Sequence, residues 1–164
     1  MDIQLIPVRD EHLDAIREIY QYYVDHSTAT FHTGNVTSNE LREKILINHP
    51  KYRSFVVEAD GLIRGYCYLS QYNKRQAYDR TAELSIYLSQ DFQGRGAGRE
   101  VLRQLEDMAK DVGIVVLLAI ISGDNEQSIR MFATAGYFKC GELKEVGEKF
   151  GRMLNVVFYQ KILI

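Results

Sequence analysis

The sequence predicts a mixed α+β fold: one central, mostly antiparallel sheet of seven strands, flanked by about four helices. Three observations lead there. Runs of period two and runs of helical period alternate along the chain in the order βααββ, β–Gly loop–α, β, α, ββ. The pair Asp60-Gly61 between two apolar runs is a tight-turn signal, so the strands on either side form an antiparallel hairpin. A helix-patterned stretch separates the fourth and fifth strands, the kind of crossover that parallel neighbours need. At 164 residues the chain is expected to be one domain over 1–164.

Residues 3–8 alternate weakly and are bounded by Pro7 and the charged Arg9-Asp10, which gives a short first strand. Asp10 suits the N-cap of a helix, since Leu13, Ile16, Ile19, Tyr20, Tyr23 and Val24 recur at helical spacing. Residues 27–37 are rich in Thr, Ser, Gly and Asn and read as a loop whose apolar exception is Phe31. Ser38 suits the cap of a second helix, with Leu41, Ile45 and Leu46 on one face and Pro50 beyond its end. Residues 53–59 and 63–69 are the hairpin strands, and 73–79 a polar, basic loop. The fourth strand, 81–88, puts Ala82, Leu84, Ile86 and Leu88 on one face and Glu83, Ser85 and Tyr87 on the other. Val101, Leu102, Leu105, Met108 and Ala109 mark a third helix. The continuous apolar run 114–121 suits a strand buried on both faces. Asn125 opens a fourth helix that Gly136 stops as its C′ residue, and 137–146 and 152–162 are the last two strands.

Hydrophobic residues at 46% supply enough apolar material to exclude disorder over most of the chain. A net charge of -2 gives no global field for nucleic acid or an anionic lipid surface, so neither is expected as a partner. The opening residues form no signal peptide or membrane span, and a cytoplasmic setting is expected. Cys67 and Cys140 lack CxxC spacing and read as reduced, buried core thiols. His12, His26, His32 and His49 show no ligand spacing, so no metal is expected.

The fourth strand runs into Gln93-Gly94-Arg95-Gly96-Ala97-Gly98 and then a helix. Strand, glycine loop and helix start together make a phosphate-binding geometry: unpaired N–H groups, the positive end of the dipole, and glycines that let the backbone approach an anion. Arg95 and Arg99 add charge, and Arg103 lies one turn after Arg99. The spacing is neither a Walker A loop, which ends in GK[ST], nor GxGxxG, since Arg99 and Val101 stand where that motif needs glycine. A turn that merely reverses the chain suits the same residues. Glu83 likewise reads in two ways, as a functional carboxylate or as a surface glutamate on the sheet edge. Asn125 suits a simple N-cap as well as a ligand contact.

The run Q-x-x-G-x-G from Gln93 to Gly98 resembles the acetyl-coenzyme A pyrophosphate loop of the GNAT acetyltransferases. The element order is similar to that fold along the whole chain. Asn125, Ser128, Met131-Phe132 and Gly136-Tyr137 resemble its fourth-helix signature. Three further stretches, TATFHT (28–33), RQAYDRTAELSIYL (75–88) and GELKEVGEKFGRMLNVVFYQ (141–160), resemble the phosphinothricin and methionine sulfoximine/sulfone N-acetyltransferases.

That resemblance implies an acetyl-CoA-dependent N-acetyltransferase acting on the amine of a small amino acid or analogue, with acetyl-CoA as cosubstrate, no metal, and a homodimer. It implies Glu83 as general base, through water. Cofactor contacts are implied for Ile86, Tyr87, Leu88, Gln93, Gly94, Arg95, Gly96, Ala97, Gly98, Arg99, Asn125 and Ser128. Phe31, Asn73, Lys74, Arg75, Tyr78 and Phe132 are implied on the acceptor side. Arg75 has the fork to pair with a substrate carboxylate, and a solvated basic loop explains it equally. Position 132 departs from the family, which carries Tyr or His there; Phe132 has no proton for a leaving thiolate. Met153 and Asn155 replace the family's usual Trp and Asp. Another acceptor, a polyamine or protein N-terminus, is the first alternative, and a non-catalytic acyl-CoA-binding module the second.

Overall fold

A computed structural model describes residues 2–164. Among them, β1 (Gln4–Pro7), β2 (Ser54–Ala59), β3 (Leu62–Gln71), β4 (Thr81–Leu88), β5 (Val116–Ser122), β6 (Phe138–Lys149) and β7 (Arg152–Ile162) form one seven-stranded sheet in the order β1-β2-β3-β4-β5-β7-β6. The helices are α1 (Leu13–His26), α2 (Ser38–Lys44), α3 (Ala97–Asp111) and α4 (Glu126–Thr134). Every ladder is antiparallel except β4 with β5, as the helical crossover requires. The turn at Asp60 (φ 55°) and Gly61 (φ 74°) has both central residues left-handed, the primed hairpin geometry that their side chains tolerate. Helix α4 is capped by Asn125, whose Oδ1 accepts from Ser128 N–H, and Gly136 follows its end at φ 96°.

Each face of the sheet has its own core. On one, Leu69, Ala82, Leu84, Leu117 and Ala119 pack with Val101, Leu102 and Leu105 of α3 and Phe132 of α4. On the other, Val56 and Tyr66 pack with Leu13, Ile16, Tyr20 and Val24 of α1 and Leu41 of α2. This second layer covers only the β1–β4 half. The run 114–121 is therefore not buried on both faces: Ile120 is 46% exposed, because neither α1 nor α2 reaches over β5.

Local details differ from the sequence reading where tertiary contacts decide them. Asp10 does not cap α1 but begins a 3₁₀ turn (Asp10–His12), and His12 is the N-cap residue. Thr37, not Ser38, caps α2, its Oγ1 accepting from Glu40 N–H at 3.2 Å. Cys67 is buried, but Cys140 is exposed, because it lies on β6 at the sheet edge, where its thiol donates to the Phe158 carbonyl.

Two buried polar groups join elements far apart in sequence. Glu106 of α3 accepts from the Tyr137 hydroxyl at 2.8 Å and from Lys161 Nζ at 3.1 Å. Lys149 of β6 donates to the Ser27 and Thr30 carbonyls at 2.6 and 2.7 Å, next to the C-terminal end of α1. Burial lowers the pKa of that ammonium from its ordinary value, against the opposing charge of Asp25.

Candidate active site

The site begins where two strands part. Strands β4 and β5 pair only from Thr81–Val116 to Glu83–Leu118. Beyond that point β4 continues to Leu88 and β5 to Ser122 without a ladder between them. The edge of β4 that faces β5 is therefore without a strand partner there, and backbone groups on such an edge need one. A cleft of about 410 Å³ fills the opening. Its walls are residues 84–88 of β4, residues 119–122 of β5, the glycine loop and α3 start, and one side of α4.

The glycine loop folds as its residues demand. Gly94 (φ 75°) and Gly96 (φ 77°) are left-handed, and a Cβ on either would meet nothing within 4 Å, so backbone strain rather than crowding selects glycine there. Gly96 is the N-cap of the 15-residue α3, which leaves the first N–H groups of that helix without intrahelical partners. Gly98 serves another purpose. A Cβ on it would lie 2.8 Å from Met131 Sδ, so its lack of a side chain lets α3 pack close to α4. No residue lining the cleft is acidic, and Arg99 stands on its wall, so the lining suits a phosphate-bearing ligand.

Of the residues implied for the cofactor, Ile86, Tyr87, Leu88, Gln93, Gly94, Gly96, Gly98, Arg99, Asn125 and Ser128 line the cleft. Ala97 does not, because it is buried in the core behind the loop. Arg95 is exposed and lies over the Phe92 ring at 5.9 Å, outside the lining. Arg103 does not extend the cationic site, for its guanidinium is already held by Glu100 at 2.8 Å and Asp107 at 3.1 Å. The Gln93 amide donates to the Tyr23 hydroxyl, which donates to the Leu88 carbonyl, so α1 braces both the loop and the end of β4.

Glu83 is half-buried at the point where the β4–β5 ladder ends. Burial raises its carboxyl above the ordinary glutamate value, and the charge of Lys44 partly opposes this. Paired residues of an antiparallel ladder share a face. Glu83, Ser85 and Tyr87 thus share a face with Ser70, Tyr68 and Tyr66 of β3. On that face lies a second cavity, of about 220 Å³, lined by Tyr20, Val36, Leu41, Ile45, Tyr66 and Tyr68, with Lys44, Glu40, Glu43 and His32 also at its wall. Tyr68 lines this cavity and its register partner Ser85 lines the cleft; Glu83, two residues before Ser85 on the same face, lines neither.

The residues implied for the acceptor are not all brought together. Phe132 is 5% exposed, stands edge-on to Tyr137, and lines the cleft on the α3–α4 side of the sheet, opposite the face that carries Glu83. Phe31 packs its ring over Gly147. Lys74, Arg75 and Tyr78 are exposed on the β3–β4 loop, where Asn73 Oδ1 accepts from Arg75 N–H and Tyr78 meets Tyr72. None of Phe31, Asn73, Lys74, Arg75 and Tyr78 lines the cleft or the second cavity. Sequence reasoning missed Tyr20, Tyr66, Tyr68 and Lys44; the tyrosines alternating with Cys67 along β3 were the signal available. Among the described residues no group of three or more His, Cys, Asp or Glu side chains is arranged to hold a metal ion.

Comparison with known proteins agrees with this geometry. The acetyltransferase (GNAT) domain model matches residues 5–157. A phosphinothricin N-acetyltransferase of Alcaligenes faecalis is 36% identical over 160 residues, 95% of this chain and 80% of that protein. An L-methionine sulfoximine/L-methionine sulfone acetyltransferase of Salmonella typhimurium is 33% identical over 89% of this chain and 86% of its own length. The crystal structure of a phosphinothricin acetyltransferase from Sinorhizobium meliloti in complex with acetyl-CoA superposes with a TM-score of 0.91 at 29% identity, covering 99% of this chain and 89% of that one. With the parted strands, the glycine loop and the family match all in register, this chain belongs to the GNAT acetyltransferase family and is an acetyl-CoA-dependent N-acetyltransferase.

Proposed function

We propose that the enzyme acetylates the amine of a small amino acid or amino-acid analogue, of the phosphinothricin or methionine sulfoximine/sulfone type. The observation that carries this reading is the place of Glu83, a half-buried carboxylate whose strand neighbours Leu84 and Ser85 line the cleft and whose charge partner Lys44 lines a separate cavity of about 220 Å³. The second volume suits a small acceptor, and the relatives' names point to the same class.

Acetyl-CoA supplies the activated acyl group. The loop from Gln93 to Arg99 and the start of α3 would hold its pyrophosphate, with Arg99 as the cation on the wall. Asn125 and Ser128 at the start of α4 would meet the pantetheine arm. The unpaired edge of β4 offers the backbone N–H groups of Ile86 and Leu88 to polarise the carbonyl, while Tyr87 between them turns its N–H toward β3. Glu83 takes the proton that the acceptor ammonium loses, directly or through a water, and its raised pKa brings it nearer to that task. Phe132 has no proton to give, and departure as thiolate is tolerable for a group with a pKa of about 8.5.

The proposal extends to one catalytic domain over 1–164, working in the cytoplasm as a homodimer, with no metal, nucleic acid or membrane as partner. For the homodimer, the support is the apolar surface on the half of the sheet that α1 and α2 leave open. Ile120, Phe138 and Leu143 are exposed there, and Val146, Phe150 and Met153 are exposed around the hairpin end.

One observation favours a second reading. Glu40 and Glu43 at the second cavity would suit a cationic acceptor such as a polyamine. A thiol-release assay over amino acids, amino-acid amides and polyamines separates the two. The proposal expects turnover of amino acids above polyamines, and preference for polyamines would overturn it.

A further inference from the structure

The segment between α1 and α2 that carries Phe31 is held from several sides, and of the residues that hold it Lys149, Asp124 and Gly147 line neither cavity. Its Ser27 and Ala29 line the cleft. Lys149, only 4% exposed, donates from Nζ to the carbonyls of Ser27 at 2.6 Å, Thr30 at 2.7 Å and Tyr23 at 3.4 Å. Thr28 Oγ1 donates to Asp124 Oδ1 at 2.8 Å, and Asp124 is itself fixed by Ser122 Oγ at 2.7 Å and Arg152 at 3.0 Å. The Tyr20 hydroxyl shares a 2.7 Å hydrogen bond with Thr30 Oγ1. The Phe31 ring lies so close over Gly147 that a Cβ there would sit 2.6 Å from it.

A buried ammonium is a costly way to join two elements, since an apolar contact would do so without desolvating a charge. What the charge adds is direction. Three carbonyls converging on one Nζ fix the backbone path at the end of α1, where a cation is also favoured by the helix dipole. Lys149 and Gly147 act from the β6–β7 hairpin, Asp124 from the turn before α4, and Tyr20 from α1. Together they hold residues 27–31 between the cleft and the hairpin end.

We infer that Lys149 and Asp124 are positioning residues, which clamp the segment 27–31 as a rigid wall between the cleft, lined by its Ser27 and Ala29, and the second cavity, lined by the adjoining His32 and by Tyr20 bonded to Thr30, so that the clamp aims the acceptor at the acetyl group. This rests on the amino-acid reading of the acceptor site. Neither residue lines the cleft or the second cavity, so each acts through the segment it holds.

The test uses three substitutions that loosen the clamp by different means. Thr28→Val cuts the link to Asp124 while keeping the side-chain shape. Gly147→Ala pushes the Phe31 ring away without changing any charge. Lys149→Met removes the ammonium, and Lys149→Arg restores a cation. Each purified variant is measured for thermal midpoint, acetyl-CoA affinity by calorimetry, and kcat and KM for the preferred amino acid. The expected signature is a rise of about tenfold in acceptor KM or loss in kcat/KM in all three loosened variants. Acetyl-CoA affinity falls by much less than kcat/KM for the acceptor, since Ser27 and Ala29 are only two of the residues lining its cleft, and Lys149→Arg recovers part of the loss. Wild-type kinetics in both Thr28→Val and Gly147→Ala would overturn the inference, whatever Lys149→Met does to stability. So would a loss of acetyl-CoA affinity equal to the loss for acceptor. A wild-type enzyme that turns over no amino acid would instead overturn the acceptor reading itself.

Discussion

Replacing Glu106 by alanine removes the acceptor shared by Tyr137 and Lys161. The carboxylate lies at the core side of α3, accepts from the Tyr137 hydroxyl at 2.8 Å and from Lys161 Nζ at 3.1 Å, and is 9% exposed. After the change the Tyr137 hydroxyl is left buried without its acceptor, which costs about 1–3 kcal/mol. Lys161 keeps its hydrogen bond to the Ala135 carbonyl at 2.9 Å and is partly exposed, so losing the ion pair adds about 0–1 kcal/mol. The total is about 1–4 kcal/mol, and its middle, about 2–3 kcal/mol, lowers the midpoint of a chain of this length by roughly 4–12 °C. Urea titration followed by circular dichroism reads the first number and a thermal scan the second. Glu106→Gln, whose amide oxygen still accepts from Tyr137, should lose about half as much. The loss should also loosen Phe132, since Tyr137 N–H donates to the Phe132 carbonyl and the two rings are in contact. A Glu106→Ala protein less than about 1 kcal/mol below wild type would mean that the buried hydroxyl had found another partner, and that Glu106 is not what satisfies it.

Gly96→Ala forces a side chain into a left-handed position at the start of α3 and should weaken acetyl-CoA binding, read as a higher KM for acetyl-CoA at unchanged KM for acceptor. Gly65→Ala places a Cβ 2.5 Å from the Tyr87 carbonyl oxygen and 2.8 Å from the Leu88 side chain, so β3 and β4 must move apart. Denaturant titration should show a loss of about 1–3 kcal/mol. Arg99→Ala should weaken acetyl-CoA binding while Arg103→Ala leaves it unchanged, because only Arg99 lines the cleft and Arg103 is held by Glu100 and Asp107. The acid limb of kcat should fall as pH drops through a Glu83 pKa above the ordinary glutamate value, since protonation removes the base and burial favours the neutral form.

Much of this architecture is legible in the sequence because period and punctuation are local. Strand β4 has the bounds that its alternation indicates, and β7 likewise. The glycines at 94, 96 and 136 sit at positive φ, where loop and stop signals put them. What escaped was set by partners far along the chain. The exposed face of Ile120 follows from α1 and α2 ending their cover at β4. Cys140 reads as apolar by its neighbours, and its exposure follows from β6 being the sheet edge. Lys149 carries no local signal in the sequence, and only the fold brings three carbonyls from residues 23–30 to it. Arg103 shows the converse: its helical spacing from Arg99 suggests a phosphate patch, while Glu100 and Asp107 at three and four residues claim it. Asn155 is a departure from the family that the structure explains in part. Its Oδ1 accepts from Glu145 N–H at 2.8 Å, within the irregular stretch of β6 between Leu143 and Gly147.

The central claim is that Glu83 acts on the acceptor's proton beside a cleft that binds acetyl-CoA without it. Glu83→Gln keeps the size of the side chain and removes the base. Calorimetric acetyl-CoA affinity and steady-state kcat, measured on the same preparation, test the claim directly. Acetyl-CoA affinity is expected to stay close to wild type while kcat falls by about 10²–10⁴-fold. A variant that keeps wild-type kcat, or one that loses kcat only in step with acetyl-CoA affinity, would contradict it.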